Sequence, residues 1–220
     1  MLKELKRVQM FMFKELGLTV MPKFNINRMT NGNSKLVKTI LIFDTMAGTC
    51  GTCVMDCKGC YAKKSQNRYP MTRLFRSVNT YLAKNNINVL EALINKQISF
   101  STKTTAVRLH SSGDFFSQDY VNMWDRIIKN YPDIKFYTYT KVEKLDFSSI
   151  ESNSNFNLIH SLAINCYGEK VLNFGDHDHV KKLTDNGYFL CPATKENWKG
   201  LCGNDCNYCI TGKKVCFNIH

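Results

Sequence analysis

No segment of the chain is apolar for long enough to cross a bilayer or to direct export. Its first twenty residues, MLKELKRVQMFMFKELGLTV, place a Lys or Glu every few positions. No membrane partner is expected, and the default setting is a reducing cytoplasm, where clustered cysteines bind metal more often than they pair as disulfides. Internal repeats and low-complexity linkers are missing too, so the 220 residues are expected to form one domain, 1–220. A third absence is local. From Cys57 to Leu90 there is no acidic residue, while Lys58, Lys63, Lys64, Arg68, Arg73, Arg76 and Lys84 supply seven positive charges. With a formal net charge of +12 over the whole chain, this stretch points either to a polyanionic partner, nucleic acid first, or to a lysine-rich solvated surface.

Cysteine, by contrast, is plentiful, with ten residues falling mainly in two sets. The segment CGTCVMDCKGCYAKK holds Cys50, Cys53, Cys57 and Cys60 within eleven positions. A zinc ribbon needs its two Cys-x-x-Cys knuckles roughly 15–20 residues apart, so that a hairpin can bring them together. Here only three residues separate the pairs. Closely spaced thiolates on one short loop are how an iron–sulfur cluster is wrapped, because a single cubane offers several irons to one segment. Two ligand sets are open: Cys53, Cys57 and Cys60 alone leave one iron free for substrate or cofactor, whereas Cys50 as a fourth ligand closes the cluster. The second set, Cys191, Cys202, Cys206 and Cys209, has spacings of ten, three and two residues. It suits a fully ligated auxiliary iron–sulfur cluster or a structural zinc site. Cys216 follows it, and the lone Cys166 reads as a small buried hydrophobe. The run GDHDH (175–179) looks like a metal site on paper, but side chains in a turn diverge, and no metal is assigned to it.

Hydrophobic periodicity orders the rest. Leu2, Leu5, Val8, Met12 and Leu16 share one side of a helix over 2–16, stopped by Gly17. Residues 17–34 are polar and turn-rich, with Asn31-Gly32 as the clearest turn. LVKTILIFDT (36–45) has strand length and leads into the first cysteine loop. Two helical stretches follow, one carrying Leu74, Phe75, Val78 and Leu82, the other Val89, Leu90, Leu93 and Ile94. Strands are expected at 104–110, 134–140, 156–164 and 187–190. A helix capped by Ser117 and ended by Pro132 lies between the first two of these, and a short helix begins near His179. Strands alternating with helices over about 36–190 indicate a parallel α/β sheet. About five to six such units fit a partial β/α barrel, since the eightfold form takes ~250 residues. Residues 191–220 form a cysteine-rich C-terminal extension.

The Cys-x3-Cys-x2-Cys pattern of Cys53, Cys57 and Cys60 resembles that of the radical S-adenosylmethionine (SAM) superfamily. The motifs downstream are similar in order. One strand ends in Ser112-Gly113-Asp114, where that superfamily has Gly-Gly-Glu, and after a capped helix the next ends in Thr138-Tyr139-Thr140-Lys141. The resemblance implies reductive cleavage of SAM, with the cofactor held at Ser112, Gly113 and Asp114 and its ammonium group on the Asp114 carboxylate. Arg108 and His110 alternate along one strand, are expected on one face, and join Asp114 as candidate catalytic residues.

The chain also resembles a phage-borne family called gene product 88. The shared features are a cysteine loop ending in Cys60-Tyr61-Ala62, a central Ser112-Gly113-Asp114-Phe115, a later Tyr139-Thr140-Lys141, and a tail opening at Cys191-Pro192. They cover about residues 40–220, to within a few residues. The resemblance implies a phage or mobile-element origin, hence the cytoplasm of a bacterial host, and an iron–sulfur core; it implies no substrate. The expected function is a radical SAM-like iron–sulfur enzyme with one or two 4Fe–4S clusters. The alternatives are a non-enzymatic regulator that binds nucleic acid or a host protein through residues 57–90, with metal sites bracing its fold, or an electron-transfer protein if Cys50 is a ligand.

Overall fold

The computed structural model of the chain describes residues 1–20, 23–49, 60–161, 174–175, 177–194 and 197–218. The N-terminal apolar stripe forms α1 (Leu2–Glu15), which buries Leu5 and Val8. A short strand β1 (Met29–Asn31) then pairs antiparallel with β2 (Ile40–Phe43). Beyond β2 come α2 (Tyr61–Arg68), α3 (Pro70–Asn85) and α4 (Ile87–Phe100), followed by β3 (Ala106–Leu109). The chain continues through α5 (Gln118–Asn130), β4 (Lys135–Thr140), α6 (Ser148–Glu151) and β5 (Phe156–His160). Strands β2 to β5 are parallel and lie in sequence order, so the main sheet reads β1-β2-β3-β4-β5.

The alternation of side chains across the sheet sorts the core into two layers. Leu41, Phe43, Val107, Leu109, Phe136 and Leu158 face the helices and join the main core with α3, α4 and α5. Helix α5 shows why these segments are helical. Ser117 Oγ accepts from the Tyr120 amide at 3.3 Å, and Tyr120, Val121, Trp124, Ile127 and Ile128 are buried at helical spacing. Trp124 meets the edge of Phe43 with ring centroids 5.1 Å apart. Each fully buried side chain of this kind contributes about 1.5–3 kcal/mol relative to exposure.

The other face of the sheet is covered by the C-terminal tail rather than by helices. Ile40, Ile42, Ala106 and Tyr137 pack there against Cys202, Cys209 and Ile210. All four residues of β2 are buried because both of its faces are covered, which explains the unbroken ILIF. The tail is anchored by backbone: the Cys202 amide donates to Lys35 O at 2.9 Å, and the Val37 amide to Cys202 O at 3.1 Å. A second, three-stranded parallel sheet, ordered β6-β8-β7, comprises β6 (Phe174–Gly175), β7 (Phe189–Leu190) and β8 (Val215–Asn218). Helix α7 (His177–Asp185) packs on it through Val180 and Leu183. Of the GDHDH run, Gly175 ends β6, Asp176 lies outside the described residues, and His177 to His179 open α7 rather than forming a turn.

Of the expected partial barrel of about five to six parallel strands, the described residues show the α/β part, a sheet of four parallel strands with an antiparallel edge. Among the described residues, the further strands form a separate sheet and close no barrel. Strand β1 falls in a stretch that reads as turn because it carries no alternation of its own. It is a strand through its partners: β2 on one side, and on the other Gln97, whose side chain accepts from the Met29 amide at 2.8 Å and donates to Met29 O at 2.9 Å. The side chain stands in for another strand at an exposed edge. The expected strand at 156–164 is seen to His160, and its last residues, 162–164, lie outside the described residues.

Gly203 is where the tail comes closest to the sheet. It has φ +93°, and a Cβ there would sit 2.6 Å from Val37 Cγ2 and 2.7 Å from Ile40 Cδ1. Gly203→Ala is therefore expected to cost about 1–3 kcal/mol in urea unfolding, from backbone strain and overpacking. The same substitution should speed hydrogen exchange of the Cys202 amide. An unchanged midpoint would show that the tail is not seated against β2.

Candidate functional site

The C-terminal ends of β2, β3 and β4 meet in a knot of polar side chains that frames the first cysteine loop. Asp44, just past β2, accepts on Oδ1 from Ser111 Oγ at 2.6 Å and from the Ser112 amide at 2.9 Å. Its Oδ2 accepts from Arg76 Nε at 3.3 Å and Nη2 at 3.0 Å. Arg76 Nη1 donates in turn to Ala62 O at 3.2 Å, where the chain leaves the loop. The Met46 amide donates to Thr80 Oγ1 and the Ala47 amide to Gln66 Oε1, at 2.8 and 3.0 Å. The approach to the cysteine loop is thus fixed by α2, α3 and the β3–α5 turn together. Cys60 stands half-buried immediately before α2, while Cys50, Cys53 and Cys57 lie outside the described residues.

The SSGD turn is built into this knot. Gly113 has φ +80°, and a Cβ there would lie 1.9 Å from Thr45 Oγ1, so only glycine lets the turn meet the end of β2. Ser112 is buried, and among the described residues its Oγ has no hydrogen-bond partner. Asp114 is 3% exposed. Its carboxylate accepts from Thr140 Oγ1, the Lys141 amide and the Phe115 amide, each at 2.8 Å. Burial pushes this carboxyl up, and the same hydrogen bonds pull it back. Asp114 therefore clasps the β3–α5 turn to the end of β4.

Arg108 and His110 do not share a face. The chain leaves strand geometry at His110, which has φ +57°, and this ends the alternation on which the expectation rested. The His110 ring turns into the helix-side core, 4.7 Å centroid to centroid from Phe115, with Nε2 2.8 Å from the Tyr120 hydroxyl. Arg108 lies on the tail side, its guanidinium carbon 5.4 Å from the centre of the Tyr139 ring. Among the described residues its buried Nε has no hydrogen-bond partner and no carboxylate forms an ion pair with it. Burial opposes its charge; of the groups that act the other way, Tyr137, Tyr139 and Tyr61 are themselves pushed up and so neutral near pH 7, which leaves Asp44, already paired with Arg76.

Two of the four tail cysteines, Cys202 and Cys209, interact electrostatically with this arginine. Cys191 follows β7 and is buried; Cys202, Cys206 and Cys209 are half-buried, and all four are free thiols. Burial pushes Cys191 up to about 12, with Cys209, Cys202 and Cys206 adding to the shift, so the four lie within electrostatic range of one another. Burial likewise pushes Cys209 up to about 11, opposed by the Tyr139 hydroxyl, which donates to its sulfur, and by Arg108. Asn157 Nδ2 donates to Cys209 O at 2.6 Å, tying this thiol's backbone to β5. Among the described residues, no three His, Cys, Asp or Glu side chains converge closely enough to hold a metal ion. Sequence reasoning missed Asp44, Tyr139 and the inward position of Arg76. The Asp at the end of an apolar strand was the one available signal.

Burial without a charged partner pulls His110 down to about 3 from an ordinary 6.5. Its folded pKa lies below the unfolded one, so the unfolded chain takes up the proton first as pH falls. The stability tied to neutral His110 is complete above pH 6.5 and is lost between 6.5 and about 3. Unfolding free energies from urea titrations run downward from about pH 7.5 should fall by up to about 1.4 kcal/mol per pH unit through this window. His110→Asn, which tolerates positive φ, should flatten that slope; equal slopes would remove His110 as the source.

The Gene product 88 family matches residues 25–189. The Gene 88 protein of Mycobacterium phage L5 is 50% identical over 36 residues, 16% of this chain and 15% of that protein. The Gene 88 protein of Mycobacterium phage D29 is 47% identical over 36 residues, with the same shares. These alignments span only 15% of the length of either curated relative. No solved structure matches the chain. Neither the family's name nor those of the relatives refers to radical SAM chemistry, so that resemblance gains no support from them. The matched span differs from the motif-based one: it takes in β1 and stops just before Cys191. Because it covers well over half of the chain, the protein belongs to the Gene product 88 family.

Proposed function

We propose that this is an iron–sulfur protein. Cys191, Cys202, Cys206 and Cys209 hold one cluster against the tail side of the sheet, and the cysteine loop of residues 50–60 holds another at the strand ends. The observation that carries this reading is Arg108. Arg108 lies beside Cys202 and Cys209, its Nε buried and, among the described residues, neither hydrogen-bonded nor paired to a carboxylate, and a charge held out of water in this way costs several kcal/mol unless negative charge compensates it. Metal-bound thiolates supply that charge. A single zinc ion draws all four sulfurs to about 2.3 Å from one point, whereas a four-iron cluster gives each thiolate its own iron and needs a wider ring.

In the finer reading, Cys53, Cys57 and Cys60 leave one iron open to SAM, and the bound cluster supplies the electron for reductive cleavage. The support is positional: the loop leaves the C-terminal end of a parallel strand, where α/β folds place their chemistry, beside the Ser112-Gly113 turn. The residues of this chain hold the rim rigid. Asp114 is already engaged by Thr140, Phe115 and Lys141, so in this reading it positions the turn and does not take the SAM ammonium directly.

Anaerobic purification followed by iron and sulfide analysis tests the proposal. The expected result is about four to eight irons per chain with matching sulfide, for one or two four-iron clusters. Cys206→Ser should lose one cluster's share. Arg108→Met should leave the fold intact but lower the reduction potential, since an adjacent positive charge favours the more negative reduced cluster. Zinc without sulfide would overturn the reading. A change in the reduced protein's electron paramagnetic resonance spectrum on adding SAM would support the finer reading, and an indifferent spectrum would remove it.

A further inference from the structure

The structure divides the basic stretch that the sequence shows as one run. Arg76 is inside, bound to Asp44, and Lys84 lies over the Phe116 ring near the far end of α3, 5.5 Å from its centre. Lys63, Lys64, Arg68 and Arg73 remain together, all exposed, on α2 and the first turn of α3. The ion pairs of the described residues lie elsewhere, and none involves these four cations. Helix α2 buries Ala62 and Gln66, which leaves Tyr61, Lys64 and Arg68, at i, i+3 and i+7, along its outer side.

Aromatic rings are interleaved with these charges. Tyr61 is 68% and Tyr69 51% exposed, although each ring is held in place. The Tyr61 hydroxyl turns inward and donates to Ser111 O at 2.7 Å, leaving the ring outside. The Arg68 guanidinium lies 5.5 Å from the centre of the Tyr69 ring. Rings that are exposed yet held lose little entropy when a flat partner stacks on them. A merely solvated charged surface does not call for them.

We infer that this strip, Tyr61 to Arg73, binds single-stranded nucleic acid. The cations would track phosphates while Tyr61 and Tyr69 stack on unpaired bases. A duplex keeps its bases stacked internally and offers the tyrosines nothing. A membrane surface would be met by Trp, Phe and Leu, whereas Met71 is the strip's one exposed large aliphatic side chain. The inference goes beyond the iron–sulfur reading and does not rest on it.

The test is fluorescence anisotropy with the full chain, using labelled oligo-dT, oligo-U and a mixed-sequence duplex from low to physiological salt. Iron is measured on the same sample, so a failure of the cluster reading is recorded separately from a failure of binding. The single strands should bind more tightly than the duplex, with the two single-strand arms separating DNA from RNA. The slope of log K against log salt should be about −3 for four phosphate contacts. Lys64→Gln should reduce the slope by about 0.7. Tyr69→Ala should weaken binding about fivefold or more while leaving the slope in place, and Lys84→Gln should change neither. All three positions are on the surface, so thermal melts of the variants should match the parent. No single-strand binding at low salt, equal affinity for the duplex, or a Lys84→Gln effect equal to that of Lys64→Gln would each overturn the inference.

Discussion

The carboxylate of Asp44 takes hydrogen bonds from Arg76 on one side and from Ser111 and Ser112 on the other. The end of β2, the first half of α3 and the turn after β3 therefore meet at one largely buried charged pair. Removing either partner of such a pair strands the other and costs about 3–5 kcal/mol. Its position matters more than its strength. Asp44 lies just before the cysteine loop, and Arg76 also binds Ala62 just after it, so one ion pair sets both ends of the loop. The Gly113 contact with Thr45 and the Asp114 bridge to Thr140 extend the same frame to β4.

The second constraint is that the main sheet is covered differently on its two faces. Helices pack on one with an aliphatic and aromatic core, and the cysteine tail packs on the other. The tail side is polar where it matters. Arg108, Tyr139 and Asn157 project toward Cys209 from three neighbouring strands. In the proposed function this face is a nest for a charged cluster, and the strand-end rim is a separate station. The basic strip on α2 and α3 continues outward from that rim, which would bring a nucleic acid bound there beside the first cysteine loop.

Much of the fold is legible in the chain because local pattern and tertiary role agree. The stripes of α1, α3, α4 and α5, the Ser117 cap and the strands at β2, β3 and β4 all follow from periodicity and end signals. What periodicity could not supply is whatever depends on a remote partner. Strand β1 exists because Gln97 and β2 satisfy its backbone. Strands β6 and β8, two and four residues long, gain their definition from their pairing, whereas β7 falls within the strand expected at 187–190.

The candidate site divides along the same line. The sequence by itself determined that thiols gather in two sets, that glycine stands in the SSGD turn, and that residues 57–90 lack acid, because composition and spacing are local properties of the chain. Only the tertiary structure decided which side chains those features meet. Backbone dihedrals at His110 sent its ring into the core and left Arg108 on the tail side, which alternation along a strand could not reveal. Long-range hydrogen bonds turned Asp114 into a clasp and drew Arg76 out of the basic surface. Charge and burial are fixed by neighbours far apart in sequence, and those neighbours meet only in the folded chain.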